Sequence, residues 1–240
     1  MRASEATRPR PAYVIALRTL AAFALSAAVV IGLGKLLQPH FIDNGPLPVD
    51  QRITDWFVDR RSAPWTSLMR VVTALGGGAV LTPITIAVVV GLVVARHRYL
   101  AVYVSVVALG AAWLSGLSKA AIDRARPPVE LRLVSARTSA FPSGHSTQIA
   151  AVSIALVIVV FALTRVSGVR RAAVVLAAVV TFGVGVSRVY LGAHWASDVL
   201  GGWLLGTMCA AGTAWAFGLF GRRERFGPPS SESSTRRAVS

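Results

Sequence analysis

The sequence predicts an all-α fold: a bundle of six transmembrane helices with a short interfacial helix between the first two spans. Two observations carry that reading. Of 240 residues, 54% are hydrophobic and only 15% charged, far from the balance of a water-soluble domain. The apolar residues also gather into six stretches, 17–37, 79–95, 100–117, 147–163, 172–189 and 199–220. Each is close to the roughly 20 residues that a helix needs to cross a hydrocarbon core.

The first stretch follows Arg2, Arg8, Arg10 and Arg18, so a cleavable signal peptide has to be weighed. Its apolar run is longer than such a segment needs, and Lys35-Leu36-Leu37 offers no small-residue cleavage site, so retention is expected. Residues 50–61 then place Val49, Ile53, Trp56 and Phe57 at helical spacing with charges on the opposite face. That pattern fits a helix lying in the membrane interface, or equally a solvated loop helix packed on the bundle. Gly76, Gly77 and Gly78 break the chain before the second span, where Pro83 is a candidate kink. The resulting organisation is a basic cytoplasmic N-terminus (1–16), a six-span domain (17–220) and a cytoplasmic tail (221–240) that is Pro, Ser and Arg rich from Gly227 and expected to be disordered. There is no internal repeat and no soluble domain. Cys209, the single cysteine, lies inside the last apolar stretch, which rules out an intramolecular disulfide and a cysteine zinc cluster.

The net charge of +15 does not point to nucleic acid, because the basic residues are scattered through short connections between apolar runs. Charge of this kind reports topology, since Lys and Arg accumulate on the cytoplasmic side. Six spans put both termini on one side. Taking that side as cytoplasmic places Arg96, Arg98, Arg165, Arg170, Arg171, Arg222, Arg223 and Arg225 inside. One outer connection breaks the rule, with Lys119, Arg124, Arg126, Arg132 and Arg137 in or beside it. Positive charge there calls for another explanation, such as an anionic ligand.

Polar groups at membrane depth cost about 2.5 kcal/mol or more at a helix centre, so each needs a reason. Lys119 and Arg126 are seven apart, almost two helical turns, which puts them on one face; Pro127 biases Arg126 out of the helix toward whatever Lys119 faces. Alone, the pair reads more readily as cations reaching for lipid headgroups. Pro142-Ser143-Gly144-His145 precedes the fourth span. Ser143 is a candidate N-cap, the open amides of Gly144 and His145 favour an anion, and His145 is placed to exchange a proton with it. Alone, this is a helix cap. Ser187-Arg188 closes the fifth span, and His194 and Asp198, four apart, open the sixth. One turn of helix lets the carboxylate accept a hydrogen bond from one imidazole nitrogen, leaving the other as a competent nucleophile or base. Together these features converge on one membrane face and argue for phosphoryl transfer.

These residues resemble the signature of the type 2 phosphatidic acid phosphatase superfamily, which includes lipid phosphate phosphatases and vanadium haloperoxidases. The three parts are Lys119 with Arg126-Pro127, then Pro142 to His145, then Ser187-Arg188 with His194 and Asp198, spanning 119–198 without a departure. The resemblance implies a metal-free, cofactor-free phosphatase. Lys119, Arg126, Arg188, the Ser143 hydroxyl and the Gly144 amide would hold the phosphate, and His194 would attack phosphorus to give a phosphohistidine. Asp198 would orient His194, and His145 would protonate the leaving alkoxide and then activate water. The expected partner is a lipid-linked phosphate at the outer leaflet: phosphatidic acid, phosphatidylglycerol phosphate or a polyprenyl diphosphate, the last favoured only because it is a common role in the family. The loop 129–140, with Glu130, Arg132 and Arg137, is the candidate reader of the headgroup. A vanadate-dependent haloperoxidase and a non-catalytic transporter or scaffold are the competing classes, and oligomeric state is left open.

Overall fold

A computed structural model of the chain describes residues 11–42, 46–136 and 138–221, without the side chains of 38–42 and 221. Arg2, Arg8, Arg10, Asp43, Arg137 and the tail from Arg222 lie outside the described residues, and the expectation of a disordered tail goes with them. Among the described residues there are eight α-helices and no strand. They are α1 (Ala12–Ile42), α2 (Pro48–Asp59), α3 (Ala63–Ala74), α4 (Gly78–Val94), α5 (Arg98–Ala121), α6 (Gly144–Leu163), α7 (Ser167–Tyr190) and α8 (Ala196–Ala216).

Five of them are long and apolar enough to cross a membrane, and α3 and α4, bent by 42° at the break between them, meet the same requirement only when taken together. The bend falls at the Gly76–Gly78 break. The reading from sequence placed the second span at 79–95 alone and gave residues 62–75 no element. α3 was missed because Ser62, Pro64, Thr66, Ser67 and Arg70 dilute its apolar pattern. Large apolar side chains on the outside of the bundle, such as Leu17, Val94, Leu109, Leu176 and Leu200, are exposed as the lipid-facing surface of a spanning helix requires. Hydroxyls within the spans fold back onto their own helices: Thr19 donates to Ile15 O, Ser26 to Ala22 O, Thr85 to Leu81 O and Thr213 to Cys209 O. No polar hydrogen of theirs is then offered to hydrocarbon.

The core runs between α1, α5, α6 and α8, around Tyr103, Val107, Leu114, Ala151, Leu205 and Cys209. α6 and α8 approach most closely, and the reason is compositional. Gly202, Gly206 and Ala210 recur every four residues on one face of α8. A Cβ on Gly202 would lie 2.6 Å from Ser143 O, and one on Gly206 would lie 2.9 Å from Ala151 N and collide with Thr147 O. The backbones therefore meet without side chains between them, and the starts of α6 and α8 sit side by side.

Two features depart from the sequence reading and matter for the site. α2 buries two polar residues, Asp50 and Thr54, while Val49 and Trp56 of its expected apolar face are exposed and Ile53 and Phe57 only half-buried. α5 carries Lys119 in its last turn and stops at Ala121, so Arg126 leaves from a loop rather than from the same helical stripe. The stop is enforced locally, because Ile122 takes an extended conformation and its carbonyl accepts the Ser139 hydroxyl at 2.5 Å. The Ser139 oxygen in turn accepts the Arg124 amide at 3.2 Å.

Gly206→Val is expected to cost about 1–3 kcal/mol or more through overpacking of α6 against α8. A lowered thermal unfolding midpoint in detergent checks it. Gly116→Val, on α5 where an added Cβ meets nothing within 4 Å, is the control that leaves the midpoint nearly unchanged.

Candidate active site

The structure brings together the residues that the sequence separated by 80 positions. The N-terminus of α6 supplies Ser143, Gly144 and His145; the first intrahelical bond of this helix is donated by Thr147 N to Ser143 O at 2.9 Å, so the amides of Gly144, His145 and Ser146 lie in its open first turn. Ser143 stands at the N-cap position, but no side-chain cap bond forms; its hydroxyl oxygen instead accepts from Ser146 Oγ at 3.0 Å. Its backbone N–H donates to Asp198 O at 2.9 Å, tying the two helix starts together.

Lys119 reaches the same place from the end of α5. Its Nζ donates to Ser139 O at 2.7 Å, and its stem lies 3.9 Å from where a Gly144 Cβ would be. Arg126 is steered by backbone carbonyls, with Nε on Thr138 O at 2.6 Å and Nη1 on Ala193 O at 2.7 Å. Arg188, buried in the last turn of α7, donates from Nη1 to Thr73 Oγ1 at 2.9 Å, while its Nε has no acceptor among the described residues. His145 interacts electrostatically with Arg188, His194, Arg126 and Lys119, so one cluster contains both imidazoles and all three cations. A guanidinium N–H and a first turn of open amides, gathered around that charge, are suited to a tetrahedral oxyanion.

His194 sits in the turn between α7 and α8. Gly192 makes that turn possible, because its φ of +67° belongs to the left-handed region and a Cβ there would run into the Leu131 carbonyl. The His194 Nε2 atom lies 3.1 Å from Arg126 Nη1. A guanidinium can only donate, so Nε2 must be the accepting nitrogen and the ring proton belongs on Nδ1. Nδ1 points toward Asp198 Oδ2 at 3.4 Å, within ion-pairing range but beyond a formed hydrogen bond. The expected His194–Asp198 pairing is thus present in position, and looser than one helical turn suggested. Asp198 Oδ2 is meanwhile held by the Trp195 amide at 2.9 Å in a capping box at the start of α8.

Burial pushes the His194 imidazole down to about 4, with Asp198 opposing and Arg126 and Arg188 adding to the shift. Burial also lowers Arg126 from its ordinary value.

Not every cation of the connection between α5 and α6 faces this cluster. Arg124 is buried between Asp50 and Asp198 as two ion pairs. Arg132 donates to Pro127 O at 2.6 Å and to Ala136 O at 3.5 Å, which turns it onto its own loop rather than toward a headgroup. Sequence reasoning missed Asp50, Thr73, Ser139 and Ser197 and misread the purpose of Arg124. Only the unexplained charge at Arg124 and the single acidic residue in the first turn of α2 hinted at a pair.

An all-helical membrane bundle with three cations and two imidazoles gathered at one end of its core has the makings of an integral-membrane phosphatase. The chain belongs to the PAP2 superfamily, which residues 98–222 match. It is 33% identical over 147 residues to phosphatidylglycerophosphatase B of Bacillus subtilis (strain 168), a match covering 60% of this chain and 72% of that protein. Its fold resembles the crystal structure of the first transmembrane PAP2 type phosphatidylglycerolphosphate phosphatase from Bacillus subtilis, with a TM-score of 0.69 and 26% identity over 88% of this chain and 99% of that one. The LpxE of Aquifex aeolicus shares the fold at a TM-score of 0.58 and 18% identity, over 70% of this chain and 96% of that one. The protein is a membrane lipid phosphatase.

His194 carries a prediction about acid stability. Above pH 6.5 its imidazole is neutral both in the folded chain, where it titrates near 4, and in the unfolded one, where it titrates near 6.5. Between those values the unfolded chain binds the proton that the folded site refuses, so stability falls with pH by an amount on the order of 3 kcal/mol when complete. Thermal midpoints at pH 7.5 and 4.5 should therefore drop less in His194→Gln than in the wild type.

Proposed function

We propose that the protein hydrolyses a lipid phosphate monoester at the outer leaflet through a phosphohistidine on His194, with phosphatidylglycerol phosphate the first substrate to test. The observation that carries this reading is the His194 imidazole, held with Nε2 as its accepting nitrogen beside Arg126 in a cluster of three cations. In this mechanism the phosphate takes the N–H groups of Lys119, Arg126 and Arg188, together with the Gly144 amide and the Ser143 hydroxyl. Arg126 then bonds the phosphate instead of Nε2. The Nε2 lone pair attacks phosphorus as the bond to the lipid oxygen breaks, and His145 gives its proton to that oxygen. Water, deprotonated by His145, then attacks phosphorus and returns Nε2 to its lone-pair state. The cations take the charge that develops on the transferring group, which is where most of the catalysis of such a step resides.

A lipid rather than a soluble ester is supported by an apolar groove of about 540 Å³ between α4, α5 and α6, lined by Leu81, Ile86, Val90, Ala108 and Leu109. It begins at Gly76 and Gly78, and the intervening Gly77 lies against the His145 ring, so a tail in the groove leads its headgroup to the site. The orientation rests on charge. Arg96, Arg98, Arg165, Arg170 and Arg171 lie at the end opposite the site, as cytoplasmic connections do. The name of the bacterial relative directs attention to phosphatidylglycerol phosphate; the polyprenyl diphosphate reading rests on family role alone. The two Bacillus subtilis relatives are phosphatases by name, which favours this reading over the oxidative and transporter ones.

Phosphate release from phosphatidylglycerol phosphate, phosphatidic acid and a polyprenyl diphosphate, measured on purified protein, tests the substrate; equal or greater activity on the diphosphate overturns the monoester assignment. His194→Ala should abolish release at unchanged expression. Vanadate should inhibit and a metal chelator should not, and loss of activity on chelation would remove the account in which protein cations alone stabilise the transferring phosphate.

A further inference from the structure

Arg124 is buried, and its two arms diverge. Nη2 donates to Asp50 Oδ2 at 2.7 Å, while Nη1 donates to Ser197 Oγ at 2.7 Å and to Asp198 Oδ1. Asp50 is fully buried and further secured by Ser197, whose backbone N–H reaches Oδ1 at 2.9 Å and whose hydroxyl reaches Oδ2 at 2.6 Å. The chain therefore places a second carboxylate, from α2, one guanidinium away from the carboxylate beside His194. Neither Asp50 nor Ser197 has a bond to the residues that gather around the anion site.

We propose that Asp50 is a positioning residue for His194, acting through Arg124 and Asp198. The inference rests on the reading of His194 as the nucleophile. By occupying Nη2 and fixing Ser197, Asp50 sets the plane of the guanidinium, which in turn fixes Oδ1 of Asp198 and leaves Oδ2 facing His194 Nδ1. Charge follows the same path. When Nε2 bonds to phosphorus and Nδ1 keeps its proton, the ring becomes cationic, and the Asp50–Arg124–Asp198 group, with two negative charges and one positive, retains one negative charge to stabilise it. Without Asp50 the group is neutral, and Arg124 draws wholly on Asp198.

The test is the kinetics of Asp50→Asn in purified protein, with vanadate inhibition as an independent gauge of the anion site. The expected result is a kcat lowered at least about tenfold, the loss of one charge-assisted buried contact, with KM and the vanadate inhibition constant within about twofold of wild type. An unchanged kcat overturns the proposal, and so does a kcat loss matched by equal weakening of vanadate, since that marks a disordered anion site. If Asp50→Asn does not yield a monodisperse protein, Ser197→Ala serves, with a kcat decrease of about threefold expected at unchanged vanadate inhibition; no decrease overturns the proposal. His194→Ala is run alongside. Activity surviving in that variant rejects the nucleophile itself, whereas an inactive His194→Ala beside a fully active Asp50→Asn rejects only the role of Asp50.

Discussion

An ionised side chain withdrawn from water into a helix bundle has to find its opposite there, because nothing in the surroundings replaces its hydration. The site end of this bundle holds four such cations, Lys119, Arg124, Arg126 and Arg188, together with the carboxylates Asp50 and Asp198. Arg124 takes both carboxylates, and the other three cations lean on carbonyl and hydroxyl oxygens, which satisfy their hydrogens without cancelling their charge. In the proposed mechanism, a doubly charged phosphate balances most of what is left. Much else in the molecule follows from that arithmetic. α2 presents Asp50 and Thr54 inward, α5 ends early enough to free Arg126, and Trp195 at the start of α8 holds Asp198 through its amide.

Packing gives the charges their geometry. His145 comes from the first turn of α6 and His194 from the turn just before α8, and their separation is set by how closely those helices can lie. Gly202 and Gly206 remove the side chains that would otherwise keep the backbones apart. The bond from Ser143 N to Asp198 O then registers one helix start on the other. Precision at the site is thus inherited from a rigid helix pair, with only His194 and Arg126 carried on loops, and each of those is anchored by backbone hydrogen bonds.

How much of this was legible in the sequence follows from the range of the signals. Spans are read from local hydropathy, and the five helices long enough to cross a membrane alone were each placed with their cores correct. The second stretch was placed on α4 without α3, because α3 is too dilute in apolar residues to register and meets the length and hydropathy requirement only together with α4. Lys119, His145, Arg188 and His194 were singled out because an ionisable group at membrane depth is conspicuous wherever it stands. Asp50 was not, since on an amphipathic helix near an interface an acidic residue looks solvated, and nothing local says which face is turned inward. Its partner Arg124 is 74 residues away, as Asp198 is from Arg124 in the other direction, and pairing over such distances is written in the fold rather than in the spacing. Where Arg132 points was illegible for a similar reason: whether a guanidinium bonds its own loop, as this one does to Pro127 O, depends on a turn that charge patterning does not describe.

The glycine break between α3 and α4 has a consequence for how the lipid is read. Gly76 and Gly78 border the apolar groove, while Gly77 lies against the imidazole of His145 and Thr73, just before the break, holds Arg188. In the proposed mechanism, one short stretch of backbone is a shared wall between the groove for the tail and the site of reaction. Chain length and chemistry are then not separable design variables: a substitution chosen to widen the groove at this wall would displace the proposed proton carrier and a proposed phosphate ligand as well, and selectivity for the tail would be coupled to rate by construction.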